Sequence, residues 1–255
     1  MQLTLIRNAT LSLTYAGKRI VVDPMLDPKD ARPPVGHTDN DRRNPLVDLP
    51  PGAADALAHP DALLVTHLHQ DHFDAAAKET LAKTLPLICQ PEDIDSLAVD
   101  GFANLFPVED AIVWEGIAIA RTPAQHGTGD IAAMMAPVSG FVLSAPGEPT
   151  VYLAGDTIWY PPVAETIDRY HPAVIVVNGG GARFTIGDPI TMTAEDIAAV
   201  QRHAATTTQV VVDHLEAINH CGEPRPSIAA RLEALGAGDR VHIPADGETL
   251  TFDLH

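Results

Sequence analysis

The chain has 255 residues, 45% hydrophobic and 20% charged, a balance that suits one globular domain over residues 1–255. Its 34 acidic and 16 basic residues give a net charge of −18, a field that repels polyanions and excludes nucleic acid as an expected partner. No basic segment leads into a long apolar one, no stretch reaches membrane-span length, and Cys89 and Cys221 form no metal or disulfide spacing, so a cytoplasmic protein is expected.

Residues 3–6, 11–15 and 19–22 alternate as short strands, with Ala16-Gly17-Lys18 as a hairpin turn. The third strand ends at Asp23-Pro24, where an acid either starts a turn or serves a site beyond it. Residues 27–52 are rich in Pro, Asp, Arg and Asn and show no period. A loop this long inside a compact domain is usually functional or disordered, and a lid or wall beside a cleft is expected. His37, within it, reads as solvated.

The apolar run Asp61-Ala62-Leu63-Leu64-Val65 leads into Thr66-His67-Leu68-His69-Gln70-Asp71-His72-Phe73-Asp74. That is a buried strand delivering a polar turn. In an extended segment His67 and His69 share a face, while Asp71 and His72 follow on the turn. Neutral imidazole and carboxylate suit zinc, iron or manganese, and two pairs side by side suggest two adjacent ions. The competing reading is an exposed His-rich loop in a chain with 12 histidines.

Beyond the motif, 75–83 reads as a helix capped by Asp74, 85–89 as a strand and 91–99 as a helix opened by proline. Residues 112–114 and 117–122 form a hairpin around Glu115-Gly116, and the second strand runs into Thr122-Pro123-Ala124-Gln125-His126. Strands at 140–144 and 150–154 follow. The latter delivers Asp156 after Gly155, a residue that permits close backbone approach. Trp159 and Tyr160 are core, or a wall of a substrate pocket.

A helix over 161–170 and a β-branched strand over 173–177 lead into Asn178-Gly179-Gly180-Gly181-Ala182-Arg183. The glycines either cradle a phosphate or make a turn close to the site, and Arg183 could hold an anionic substrate group. Thr193 caps a helix running to about 204. The strand 209–212 ends in Asp213-His214, with His220 as a rival ligand further along. A helix over 226–235 and strands over 240–243 and 249–252 close the chain. His242 and His255 look incidental.

These residues resemble the metallo-β-lactamase superfamily over the whole chain. The resemblance implies an α+β fold, a four-layer αββα sandwich. It implies that His67, His69 and His126 bind one ion, that Asp71, His72 and His214 bind a second, and that Asp156 bridges them. The cofactor is then two divalent ions, zinc first, manganese or iron as alternatives. It places Asp23 behind the metal-binding loop as a support. Many members carry a histidine where this chain has Asn8. Within the superfamily the Val22-Asp23-Pro24 strand end, the compact length and the helix after Thr193 are similar to the L-ascorbate-6-phosphate lactonase-like hydrolases.

The implied activity is hydrolysis of a small ester, lactone or phosphodiester, with a hydroxide bridging the metals as nucleophile, Asp71 orienting it, and Trp159 and Arg183 contacting substrate. Two other classes share these ligands: an iron-dependent oxidoreductase, and a metal-binding regulatory module without catalysis. The partner expected is a small molecule rather than a membrane, and an oligomer is compatible with the sequence.

Overall fold

The computed structural model describes residues 1–253; His255 lies outside them. Among the described residues fourteen strands and seven α-helices alternate. The strands are β1 (Gln2–Arg7), β2 (Thr10–Tyr15), β3 (Lys18–Val22), β4 (Ala62–Val65), β5 (Leu87–Cys89), β6 (Leu105–Pro107), β7 (Ala111–Trp114), β8 (Ile117–Pro123), β9 (Ser139–Ser144), β10 (Val151–Leu153), β11 (Val174–Asn178), β12 (Gln209–Asp213), β13 (Val241–His242) and β14 (Thr249–Thr251). The helices are α1 (Ala53–Leu57), α2 (Ala75–Thr80), α3 (Ile94–Val99), α4 (Gly129–Met135), α5 (Pro161–Tyr170), α6 (Ala194–His203) and α7 (Arg225–Ala234).

The strands form two seven-stranded sheets, ordered β14-β1-β2-β3-β4-β5-β6 and β13-β12-β11-β10-β9-β8-β7. In the first sheet β14, β1, β2 and β3 pair antiparallel, and β3 to β6 pair parallel. The second repeats the plan, with β10 to β13 parallel and β10, β9, β8 and β7 antiparallel. The two sheets therefore resemble each other in topology, although no repeat is visible in the sequence.

The period of two in the strands sorts the residues into layers. Ile20, Val22 and Leu64 point between the sheets, where they meet Leu153, Val174, Val176 and Val211. Their neighbours Val21, Leu63 and Val65 face outward and pack with Phe73, Ala77 and Leu97 of the first helical layer. On the far side Ile175, Val177, Val210 and Val212 pack against Val163, Ile167, Ile197 and Ile228 of α5, α6 and α7. Buried on both faces, these strands read as unbroken apolar runs. The outcome is the αββα sandwich expected from the sequence.

Several local expectations needed correction. The helix after Asp74 stops at Thr80 rather than 83, although Asp74 does cap it, accepting from the Ala77 amide. Residues 91–99 divide into a 3₁₀ turn (Pro91–Asp93) and α3. The short elements α1, α4 and β6 had no strong pattern to announce them. The capping box at Thr193 and Asp196 starts α6 as anticipated.

The 27–52 segment is mostly irregular but well anchored. Arg7, fully buried on β1, donates to the carbonyls of Met25, Asp27 and Val47 at 2.7–3.0 Å. Arg7→Met removes these donors and leaves carbonyls bare. It should destabilise the fold by about 1–3 kcal/mol, seen as a lower urea midpoint with little change in slope.

Candidate metal centre and substrate cavity

Every residue of the proposed ligand set lies just past a strand end on one edge of the sandwich. His67, His69, Asp71 and His72 follow β4; His126 follows β8; Asp156 follows β10; His214 follows β12. The C-terminal ends of parallel strands are where open α/β sheets hold their ligands. Gly155 is essential to this delivery. It has φ +67°, and a Cβ there would lie 2.5 Å from the Ser139 carbonyl oxygen, so only glycine turns Asp156 into the site.

The histidine nitrogens converge on the Asp156 carboxylate. Its Oδ2 lies 3.1 Å from His126 Nε2, 3.3 Å from His72 Nε2 and 3.8 Å from His67 Nε2, and its Oδ1 lies 3.8 Å from His214 Nε2. Asp71 Oδ2 is 3.1 Å from His214 Nε2 and 4.0 Å from His72 Nε2. Two groups have donor atoms all within 4.8 Å of one another: Asp71, His72, Asp156 and His214, and His67, His69 and Asp156. Asp156 belongs to both. His126 stands beside the second group, its ring centroid 5.4 Å from that of His69.

The outward nitrogens are held so that the inward ones are free. His72 Nδ1 meets Asp23 Oδ2 at 2.8 Å, and His126 Nδ1 meets the Ile190 carbonyl at 2.7 Å. His67 Nδ1 meets Thr66 Oγ1 at 3.0 Å, and that hydroxyl donates to Asp23 Oδ2 at 2.7 Å. Asp23 Oδ1 also accepts the Thr66 amide at 2.7 Å. Of the two readings of Asp23, support of the metal-binding loop is the one its contacts bear out. His67 Nε2 and His72 Nε2 are buried without a hydrogen-bond partner. Orphaned imidazole nitrogens facing a shared carboxylate fit divalent cations well.

The charges in this cluster are strongly coupled. Burial alone would raise Asp156, but the neighbouring His72, His126 and His214 hold its carboxyl well below the usual range. Asp71 is likewise held down, against burial, by its bond to His214. Burial depresses His67 well below its ordinary value. It opposes protonation of His72 too, yet Asp156 and Asp23 lift that ring well above 6.5. Burial pushes the Asp213 carboxyl up, next to the ligand position.

Three further residues were not singled out for support. Asn178 Nδ2 donates to Asp156 Oδ1 at 2.7 Å and fixes that carboxylate. Asn8 donates to the Asp71 carbonyl at 3.1 Å, while its own carbonyl accepts the His214 amide at 2.9 Å. Asn8 is thus a brace between the two loops that carry Asp71 and His214. Cys221 Sγ lies 3.6 Å from His214 Nδ1. Gly180 packs close behind, where a Cβ would meet the His214 carbonyl oxygen at 2.8 Å. The glycine run is thus the close turn rather than a phosphate cradle.

A cavity of about 490 Å³ opens onto His69, Asp71 and His126. Its walls include Leu68, Met135, Phe184 and Ile218, and residues 32–35 with Asn44 close it from the 27–52 segment. The expected wall is therefore present. Arg32 lines the cavity, but its Nε pairs with Asp27 at 3.0 Å and its NH1 bonds the Gln70 carbonyl. Trp159 and Arg183 do not reach this cavity. Trp159 packs with the outer helices, 5.6 Å from the ring of His203. Arg183 bonds the Gly181 carbonyl and lies 3.8 Å from Glu223 on the surface. His37 is exposed, and His242 is bonded to Gln209 across the sheet edge. Among the described residues no helix is long and apolar enough to cross a membrane.

An αββα sandwich with histidines and aspartates gathered at its strand ends defines a class of metal-dependent enzymes. The family model of the β-lactamase superfamily domain matches residues 18–214, and the chain belongs to that superfamily. The UPF0173 protein YddR of Bacillus subtilis is 38% identical over 99% of this chain and 100% of its own length. A UPF0173 metal-dependent hydrolase of Xanthobacter autotrophicus is 28% identical over 74% of this chain and 75% of that protein. Among solved structures, the isothiocyanate hydrolase from Delia radicum gut bacteria superposes with TM-score 0.94 at 36% identity, covering 100% of both chains. A possible metal-dependent hydrolase from Veillonella parvula superposes with TM-score 0.95 at 32% identity, covering 99% of both.

The outer support yields a prediction. Asp23→Asn removes the charge that orients His72 directly and His67 through Thr66. It should weaken divalent-ion affinity about 10- to 100-fold, measured by competition with a chromophoric chelator.

Proposed function

We propose that this protein hydrolyses a small, uncharged electrophile of the isothiocyanate or carboxyl-ester type, using two divalent ions. In this reading His67, His69 and His126 would hold one ion and Asp71, His72 and His214 the other, with Asp156 shared between the two sets of donors. Such ions supply Lewis acidity and make water acidic enough to serve as a nucleophile near neutral pH. The protein side chains then do the positioning. Asp71, at the mouth of the cavity, orients the attacking water. Leu68, Met135, Phe184 and Ile218 seat an apolar body and exclude bulk solvent.

The observation that carries the substrate class is the cavity itself. Its lining is largely apolar, and Arg32, the cation on it, is already neutralised by Asp27. Beyond the ions, the wall itself offers a phosphodiester no unpaired cation among the described residues, whereas its apolar lining suits an uncharged body. The 36% identical isothiocyanate hydrolase supports a neutral carbon electrophile. The Val22-Asp23-Pro24 strand end and the helix after Thr193, which resemble lactonase-like hydrolases, keep lactones in the same set. Zinc is the first choice of ion for this donor set, with manganese or iron as alternatives.

The test is to load apoprotein separately with zinc, manganese and ferrous iron. Each form is assayed on benzyl isothiocyanate, a lactone, a carboxyl ester, a thioester and a phosphodiester, with oxygen uptake followed. The zinc or manganese form should turn over a neutral substrate and be silenced by chelator. His214→Ala should lose one ion per chain by elemental analysis, and activity with it. Turnover confined to the iron form with matching oxygen consumption would replace hydrolysis by oxidation. Ion binding without turnover of any substrate would favour a regulatory module.

A further inference from the structure

Among the described residues five histidines are buried: His67, His72, His126, His214 and His220. Four of them have Nδ1 engaged, by Thr66, Asp23, the Ile190 carbonyl and Cys221 respectively. His220 differs. Its Nδ1 is sealed from solvent and has no partner. The ring lines the cavity beside His69, Asp71 and His126, yet it belongs to neither group of mutually close metal donors.

The ring is nonetheless fixed in place. It stacks on Phe184 with centroids 6.3 Å apart and planes at 12°. Its carbonyl accepts the Arg183 amide at 3.1 Å. Asn219, just before it, bonds Val35, Thr38, Asn40 and Asn44. A buried polar atom without a partner costs about 1–3 kcal/mol, so no proton is spent on the sealed Nδ1, and the capacity of the ring that a cavity ligand can reach lies at Nε2. Unpaired buried N–H groups are rarer than under-satisfied acceptors. The favoured tautomer therefore leaves the lone pair on sealed Nδ1 and the proton on Nε2, the nitrogen left to face the cavity.

We infer that His220 is a substrate-facing catalytic residue, whose Nε2–H donates a hydrogen bond to the heteroatom that gains negative charge when the electrophilic carbon is attacked. The inference rests on the hydrolytic reading above. For an isothiocyanate, the water oxygen bonds the central carbon and the π pair of the C=N bond moves to nitrogen. Both water protons finish on that nitrogen as the C–N bond breaks, so R–NCS and H₂O give R–NH₂ and COS. His220 stabilises the charge on nitrogen and keeps its own proton throughout. For an ester the acceptor is the carbonyl oxygen. Neutral imidazole acts as such an electrophile elsewhere in enzymology.

The experiment compares wild type with His220→Ala, His220→Phe and His220→Gln, all loaded with the same ion. Phe keeps the stack on Phe184 without an N–H, and Gln restores an N–H near the position of Nε2. All three should melt cooperatively and retain the wild-type ion content. Ala and Phe should lower kcat about 10²–10³-fold, with KM changing far less, and Gln should recover part of the loss. Loss of an ion from the Phe or Gln variant would make His220 a metal ligand and overturn the inference. Wild-type kcat in the Phe variant would overturn it as well, with the hydrolytic reading intact. A wild type inert on every substrate would remove that reading, and this one with it.

Discussion

The site depends on one buried carboxylate that is not itself among the candidate ligands. Asp23 sits at the end of β3 with φ +43° and receives three hydrogen bonds, from the Thr66 amide, the Thr66 hydroxyl and His72. Two of these set the loop that follows β4; the third sets a ring. A charge taken out of water survives only when such donors surround it. The result is that β3 and β4, neighbours in parallel register, are locked at the level where the motif begins. His67 and His72 then point inward for the same reason: both outward nitrogens end, directly or through one hydroxyl, on Asp23.

From that anchor the electrostatics follow. Asp71 and Asp156 lie among imidazoles that hold their carboxyls ionised, and burial keeps His67 from protonating. Carboxylates that stay charged are what a divalent cation requires, and its binding would expel the proton that Asp156 and Asp23 favour on His72. The net charge of −18 agrees with such a centre without defining it.

How much of this was legible depended on how local the signal was. The His-x-His-x-Asp-His run is contiguous, so spacing and residue type sufficed. His126, Asp156 and His214 are single residues after apolar strands, and only the family resemblance tied them to the first group. The sandwich was legible because buried strands and capped helices alternate, as at Val21–Val22 and Thr193. The short elements α1, α4 and β6 lack a full period of any pattern, and tertiary packing decides them. The supporting contacts of Asn178 and Asn8 were not legible for a different reason. Their partners, Asp156 and Asp71, are distant in sequence, and an asparagine at a strand end says nothing by itself. Trp159 and Arg183 were drawn to the site by proximity in sequence. The chain turns there, and α5 and the Glu223 contact carry them outward.

Arg7 has a wider consequence. It grips the 27–52 segment at Asp27 and Val47, and the chain just before it at Met25, while Asn219 holds the segment between Val35 and Asn44. The stretch between these clamps forms the cavity wall, and it contributes none of the converging donors. The wall is therefore an interchangeable panel on a fixed frame. Its sequence and length can drift, and with them the shape of the molecule admitted, while the strand ends that hold the chemistry stay as they are.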